Sequence, residues 1–197
     1  MELTNYLVKI KDYSSRSGTI LPINLKSPTL AWAIFDAIDY IKNKTKFVPE
    51  SNELYDKVNR CILYKNLIEF NRNFESKEKN NYGTLRENIL GNGGDLGDIL
   101  WHRAAVCREM SCFGHLVLAM YDINTKVING NVDGKEHAWL KTRGNTILDF
   151  NKYRKIFNSK DYPASRIISE QLLVEKKKVP NPEKIFLFKS LKQQYMN

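Results

Sequence analysis

A cysteine, a histidine and an aspartate follow one another at spacings that suit covalent catalysis. His137 lies 30 residues after Cys107, and Asp149 lies 12 residues after His137. A thiolate can attack a carbonyl carbon, an imidazole can move the protons, and a carboxylate can orient the imidazole. The triplet predicts an acyl-transfer or hydrolytic enzyme with Cys107 as nucleophile, His137 as base and Asp149 as orienting group. Each residue alone also fits a structural role, as a core cysteine, a core histidine or a strand-end cap.

The pattern of apolar residues predicts the elements that would position the triplet. Cys107 opens a helix over 107–121, whose free N–H groups and dipole favour a thiolate. Three short strands follow, over 126–132, 137–143 and 146–151. Asp133-Gly134 and Gly144-Asn145 are typical of hairpin turns between them. We expect an antiparallel meander packed behind a buried helix.

The second hairpin decides whether His137 and Asp149 meet. A two-residue turn at Gly144-Asn145 would pair Asp149 with a position near Leu140, about one diagonal step from His137. A bulge or a shorter pairing would change this offset.

An oxyanion site needs backbone or side-chain donors near the nucleophile. The N–H of Cys107 is the natural first donor, and the second is open among Trp101, His102 and the backbone of Gly93-Gly94. Trp139 either shields the site or packs in the core. His115 is a poor base, because it lies more than two helical turns from Cys107.

Cysteine spacing argues against cross-links and metals. Cys61, Cys107 and Cys112 cannot all pair, and they match no usual zinc spacing. We expect reduced thiols, no disulfide scaffold, no metal and no cofactor.

Composition is that of a globular protein. The chain has 197 residues, of which 42% are hydrophobic. It contains no apolar run of membrane-spanning length, and its start lacks the form of a signal peptide. We expect a cytoplasmic protein without a transmembrane segment, and signal-independent secretion stays open.

The net charge of +9 is concentrated near the C-terminus. Residues 151–197 hold 11 basic and 4 acidic side chains. Such a segment can meet nucleic acid, an anionic membrane or an acidic protein, but a solvated surface is the more common reason. Without a nucleic-acid motif or interleaved aromatics, we expect no nucleic-acid partner.

The segments that flank the triplet are predicted to contain helices joined by polar loops. Ser27-Pro28 begins a helix that runs to about Lys42, and further helices cover about 54–68 and 85–90. Residues 71–84 are expected to form an exposed loop, and Gly91 to Gly94 a flexible turn rather than a phosphate-binding loop. An amphipathic helix is predicted near Ser165–Glu175, and the apolar run 183–195 is expected to pack on the domain.

Three segments resemble the transglutaminase-like superfamily of papain-like cysteine enzymes. They read VCREMSCFGHLVLAMYDINTKVINGNV, EHAWLK and NTILDFN, and they lie within residues 95–151. The resemblance implies an α+β fold with a papain-like core, a catalytic helix packed on an antiparallel sheet, additional N-terminal helices and a Cys107–His137–Asp149 triad. Many relatives have glycine before the cysteine, where this chain has Val106.

The resemblance implies one domain with three parts. They are a helical N-terminal part over 1–94, a catalytic core over 95–151 and a basic C-terminal extension over 152–197 packed on the core.

Three functions are compatible with these patterns. The first is hydrolysis of a peptide or isopeptide bond in a protein or peptide substrate, through a thioester. The second is glutamine deamidation or transamidation, as used by some secreted bacterial effectors. The third is a non-enzymatic basic binding module whose triad is degenerate. Substrate and oligomeric state are left open by the sequence.

Overall fold

A computed structural model describes residues 2–16, 18–45, 57–76 and 82–177 of the chain. It contains five α-helices: α1 (Pro28–Thr45), α2 (Lys57–Asn71), α3 (Tyr82–Gly91), α4 (Leu96–Trp101) and α5 (Cys107–Met120). Short 3-10 turns cover Leu3–Asn5 and Arg72–Phe74. None of the helices in these residues is long and apolar enough to cross a membrane.

Nine strands form three antiparallel sheets within the described residues. The strands are β1 (Leu7–Lys9), β2 (Tyr13–Ser14), β3 (Ile20–Leu21), β4 (Thr125–Val132), β5 (Lys135–Thr142), β6 (Thr146–Asp149), β7 (Lys155–Asn158), β8 (Ala164–Gln171) and β9 (Val174–Lys176). The main sheet has the order β7-β6-β5-β4-β8, and β1–β9 and β2–β3 form two small pairs. The prediction of an α+β fold with an antiparallel sheet is therefore confirmed.

Helix α5 is the buried centre of the molecule. Eleven of its residues, from Glu109 to Ala119, are buried, and α5 packs on β4 and β5. Gly114 lets it approach closely, because a Cβ there would lie 2.5 Å from the ring of Phe150. Helices α1, α2 and α4 pack on its other sides. This packing fixes where the first turn of α5, with Cys107, meets the sheet.

The two predicted hairpin turns differ in their outcome. Asp133 and Gly134 both have positive φ and join β4 to β5 as a two-residue turn, as predicted. The next hairpin pairs Leu140 with Leu148 and Lys141 with Ile147, so three residues form its loop rather than two. Asn145, with a φ of 58°, takes the left-handed position of that loop. The register is thus one residue away from the predicted one.

The predicted helix near Ser165–Glu175 is wrong. Residues Ala164–Gln171 form β8, which pairs with β4 through two register shifts, and Val174–Lys176 form β9, which pairs with β1. The local spacing of apolar residues suggested a helix. The segment forms a strand because it pairs with β4, which is far away in sequence and therefore leaves no local pattern. Two strands of the main sheet, β7 and β8, therefore come from the segment expected as an extension.

The loop predicted over 71–84 is partly helical. Residues 72–74 form a 3-10 turn, Glu75 pairs with Ala105 in an isolated bridge, and α3 begins at Tyr82. The start of the second predicted helix and the apolar run 183–195 lie outside the described residues.

Candidate active site

His137 and Asp149 are joined by a direct contact. The Nε2 atom of His137 lies 2.9 Å from Oδ2 of Asp149. Continuing the observed register of β5 and β6 places Asp149 opposite Trp139, two residues from His137. Residues two apart on neighbouring strands share one face of a sheet and lie within diagonal reach. The three-residue turn thus turns both side chains to the same face, whereas the predicted register would have separated them.

Asp149 is fully buried and its carboxylate is surrounded by donors. Oδ2 also accepts the hydroxyl of Tyr162 at 2.7 Å, and Oδ1 accepts backbone N–H groups of the turn after β6, among them that of Asn151 at 3.0 Å. Burial raises the pKa of Asp149, but the hydrogen bonds and the charge of His137 oppose it, and the net pKa lies below its ordinary value. The environment therefore holds Asp149 as an anion.

The imidazole of His137 is tuned toward its charged form. Burial alone lowers the pKa of His137, but side-chain interactions with Asp149 and with Cys107 raise it to about 9. Because Nε2 is engaged by Asp149, Nδ1 is the ring nitrogen left for the thiol. The histidine can thus exchange a proton with Cys107 while Asp149 holds its ring.

Cys107 is the first residue of α5 and is partly exposed. Val106 before it has an extended backbone, and its N–H donates to Oε2 of Glu109 at 3.1 Å. This bond is one of the two that form a capping box, since a valine side chain cannot make the other, and it fixes where the helix begins. The first N–H groups of a helix have no intrahelical acceptor, so the N–H of Cys107 is available to a developing oxyanion.

A buried charge cluster anchors the same turn. Glu109 is fully buried, and its Oε1 lies 2.7 Å from Nε of Arg108 and 3.9 Å from Nη1 of Arg86. Burial alone lowers the pKa of Arg108, but the carboxylate of Glu109 raises it overall. The two guanidinium groups offset the charge of Glu109, which would otherwise oppose a thiolate at Cys107.

Aromatic rings enclose the pair formed by His137 and Asp149. Trp139 is buried, and its ring stacks beside that of His137 with centroids 6.2 Å apart. The ring of Tyr162 lies 5.0 Å from Trp139 and 5.2 Å from Phe157. Trp139 therefore both packs in a small core cluster and shields one side of the histidine.

The structure does not bring Trp101 and His102 to the triad. Trp101 ends α4, is 56% exposed and packs edge-on against Trp32, with ring centroids 5.4 Å apart. His102 follows it at an exposed position. Among the described residues, no hydrogen bond, ion pair or ring contact joins either of them to Cys107, His137 or Asp149.

The Gly93-Gly94 backbone is a poor source of oxyanion donors. The N–H of Gly94 donates to Ile89 O at 2.9 Å and that of Gly93 to Leu90 O at 3.1 Å. Gly93 has a φ of 78°, which completes a helix C-cap after α3. Both N–H groups already have backbone acceptors, so of the candidates left open these two are poorly suited to be the second oxyanion donor.

His115 has a structural role. Its Nδ1 lies 2.7 Å from Thr125 Oγ1, and its Nε2 accepts the N–H groups of Leu173 and Val174 at 3.3 and 3.2 Å. Burial lowers its pKa to about 4. A neutral His115 thus connects α5 to β4 and to the start of β9.

The other two cysteines differ in exposure. Cys112 is fully buried, and burial raises the pKa of its thiol, whereas Cys61 is exposed on α2. Among the described residues no group of three or more metal-ligating side chains lies close enough to hold an ion.

A polar groove borders the candidate site. It has a volume of about 610 Å³ and is lined by Tyr40, Glu69, Arg72, Asn73, Glu75, Ser76 and Arg154. The N–H of Ser76 donates to the carbonyl of Ala105, two residues before Cys107. The carboxylate of Glu75 contacts Arg154 at 2.6 and 2.7 Å and Asn151 Nδ2 at 3.3 Å. The groove thus adjoins both the segment entering Cys107 and the segment leaving Asp149.

Sequence reasoning missed two residues of the site. Tyr162 comes from the loop between β7 and β8, and no periodicity or spacing marks it. Glu109 carries a usable signal, since an acidic residue three positions after a helix N-cap is typical of a capping box.

The chain matches no protein-family model, no curated protein and no solved structure.

Proposed function

We propose that this protein is a cysteine-nucleophile hydrolase or acyltransferase that acts on an amide bond. The observation that carries the proposal is the direct contact of His137 Nε2 with the buried Asp149 at 2.9 Å. Cys107, the first residue of α5, is among the groups that raise the pKa of His137, which supports a thiol partner for the same histidine. The order of helix, histidine strand and aspartate strand supports a transglutaminase-like core. The favoured reaction is hydrolysis of a peptide or isopeptide bond.

The residues would act in two half-reactions. The Cys107 thiolate attacks the amide carbonyl carbon and forms a C–S bond, while the Cys107 N–H donates to the oxyanion. His137 then gives its Nδ1 proton to the leaving nitrogen, the C–N bond breaks, and a thioester remains. In the second half, His137 takes a proton from water, the hydroxide attacks the thioester, and the acid and the thiol are released.

The polar groove supports a peptide-like substrate. It offers two carboxylates and two guanidinium groups next to the segment that leads into Cys107, and Glu75 and Arg154 already satisfy each other. Arg72 and Asn73 are exposed there and can contact polar groups of an extended chain. We propose that the acyl donor lies along this groove with its carbonyl at Cys107.

The test is a mixture of peptides incubated with wild type, Cys107→Ala and Arg143→Ala, the last changing an exposed turn residue. Wild type and Arg143→Ala should give the same product, detected by mass spectrometry, and Cys107→Ala should give none. Cleavage indicates hydrolysis, a gain of about one dalton indicates deamidation, and a joined pair of peptides indicates transamidation. Equal products from Cys107→Ala and wild type would refute the proposal.

A further inference from the structure

Tyr162 binds Oδ2 of Asp149, the same oxygen atom that contacts His137. Its hydroxyl donates to Asp149 Oδ2 at 2.7 Å, and the same oxygen lies 2.9 Å from His137 Nε2. Tyr162 is 6% exposed and stands in the loop between β7 and β8, 13 residues after Asp149. We propose that Tyr162 is a positioning residue for the triad, an inference that rests on the proposed function.

The hydroxyl constrains the proton arrangement of the site. Tyr162 and the backbone N–H groups of Asn151 and Tyr153 all donate to the carboxylate of Asp149, which favours its ionised form, and an ionised carboxylate can only accept. His137 must then donate through Nε2, so its neutral ring is kept in the Nε2–H tautomer. In that tautomer Nδ1 is the basic nitrogen, which is the one available to Cys107.

The ring and the hydroxyl of Tyr162 have separable roles. The ring packs against Trp139, Phe157 and Tyr153. A phenylalanine would make the same ring contacts. A buried hydroxyl among aromatic rings is tolerated only when it is hydrogen-bonded, and here its partner is Asp149. Removal of the hydroxyl alone therefore tests positioning without removing the packing.

A matched control exists in the same cluster. The hydroxyl of Tyr153 donates to Asp133 Oδ2 at 2.6 Å near the surface, whereas its contact with the triad, from its backbone N–H to Asp149 Oδ1 at 3.3 Å, is kept in a phenylalanine variant. Tyr153→Phe deletes the same atom as Tyr162→Phe. A second control, Phe157→Leu, weakens the cluster and leaves the Tyr162 hydroxyl in place.

The experiment measures the carbamidomethylation rate of Cys107 near neutral pH together with the ¹⁵N shifts of the His137 ring at about pH 10.5, where the ring is neutral. Tyr162→Phe should slow Cys107 about tenfold and give a mixture of ring tautomers. Tyr153→Phe should match wild type in both. Phe157→Leu should lower the melting temperature and leave the tautomer unchanged.

Two results would overturn the inference in distinguishable ways. If His137→Ala slows Cys107 but Tyr162→Phe matches wild type in rate and tautomer, the role of Tyr162 is refuted and the proposed function stands. If wild type and His137→Ala react equally, the proposed function is refuted, and the role of Tyr162 with it.

Discussion

The three residues named from the sequence owe their chemistry to partners that the sequence did not name. Residue type, order and a helix start were enough to select Cys107, His137 and Asp149. The hydroxyl of Tyr162 and the guanidinium group of Arg86 arrive through tertiary packing, for which local patterns carry no signal. The Gly93-Gly94 backbone is a poor candidate, because glycine clusters also serve as helix C-caps.

At the same scale, Asp149→Asn should uncouple the histidine. The carboxamide has a single acceptor oxygen, whereas the present carboxylate accepts from His137, Tyr162 and backbone groups. Burial then dominates, so the pKa of His137 should fall from about 9 to 6.5 or lower. An NMR titration of the ring measures this change, and a His137 that still titrates near 9 would show that Asp149 does not set its charge.

Strands were predictable from the sequence where each one pairs with a strand that directly follows or precedes it in the chain. Strands β4, β5 and β6 are separated by short turns with typical hairpin residues, so their existence and order follow from the sequence. Strand β8 was taken for a helix, because its partner β4 lies more than 30 residues earlier and contributes nothing to the local pattern. The hairpin register was missed because a three-residue loop and a two-residue loop share the same turn residues.

The pairing of β4 with β8 depends on Gly130. A Cβ there would lie 2.6 Å from Cη2 of Trp139 and would collide with the carbonyl of Arg166. Gly130→Ala should therefore lower the free energy of unfolding by about 2 kcal/mol. Chemical denaturation measures this loss.

Gly144→Ala is the control, since a Cβ there meets only Thr142 Oγ1 at 3.8 Å. It should leave the free energy of unfolding within about 0.5 kcal/mol of wild type. Equal stabilities of the two variants would show that the β4–β8 contact is looser than described.

At the scale of the whole molecule, sheet pairing and hydrogen bonds join residues 7–14 to residues 171–176. Strand β1 pairs with β9, and Gln171 of β8 bonds both backbone groups of Ser14, so residues near the N-terminus close over α5. Composition predicted a globular protein, and the apolar patterns predicted a sheet behind a helix. The contacts between distant segments were not predictable, because pairing across more than 150 residues leaves no local pattern in the sequence.

Two buried histidines should change the stability of the protein in opposite directions as pH rises. His137 has a raised pKa of about 9, so its stabilising contribution is full below 6.5 and is lost as pH rises toward 9. His115 has a lowered pKa of about 4, so stability falls as pH drops from 6.5 to 4, since the unfolded chain binds the extra proton. The combined contribution of these two histidines to stability should therefore be greatest near pH 6.5.

The substitution His115→Gln tests how much of the loss of stability at acid pH comes from this histidine. Wild type should lose roughly 3 kcal/mol between pH 6.5 and 4 through His115. The variant should be less stable at pH 6.5 but should lack that part of the slope. Denaturation curves at several pH values measure both, and an unchanged acid slope would contradict the neutral, buried His115.

The most direct test of the central claim is the pH dependence of alkylation at each thiol. Cys61 is an exposed internal reference, and Cys112 is buried, so its protection reports that the fold is intact. With iodoacetamide, Cys107 should react faster than the exposed Cys61, because the first turn of α5 and His137 both favour a nucleophilic sulfur. His137→Ala should remove that advantage while Cys112 stays protected. If Cys107 follows the same profile as Cys61 in both proteins, His137 does not activate it and the proposed enzyme mechanism is wrong.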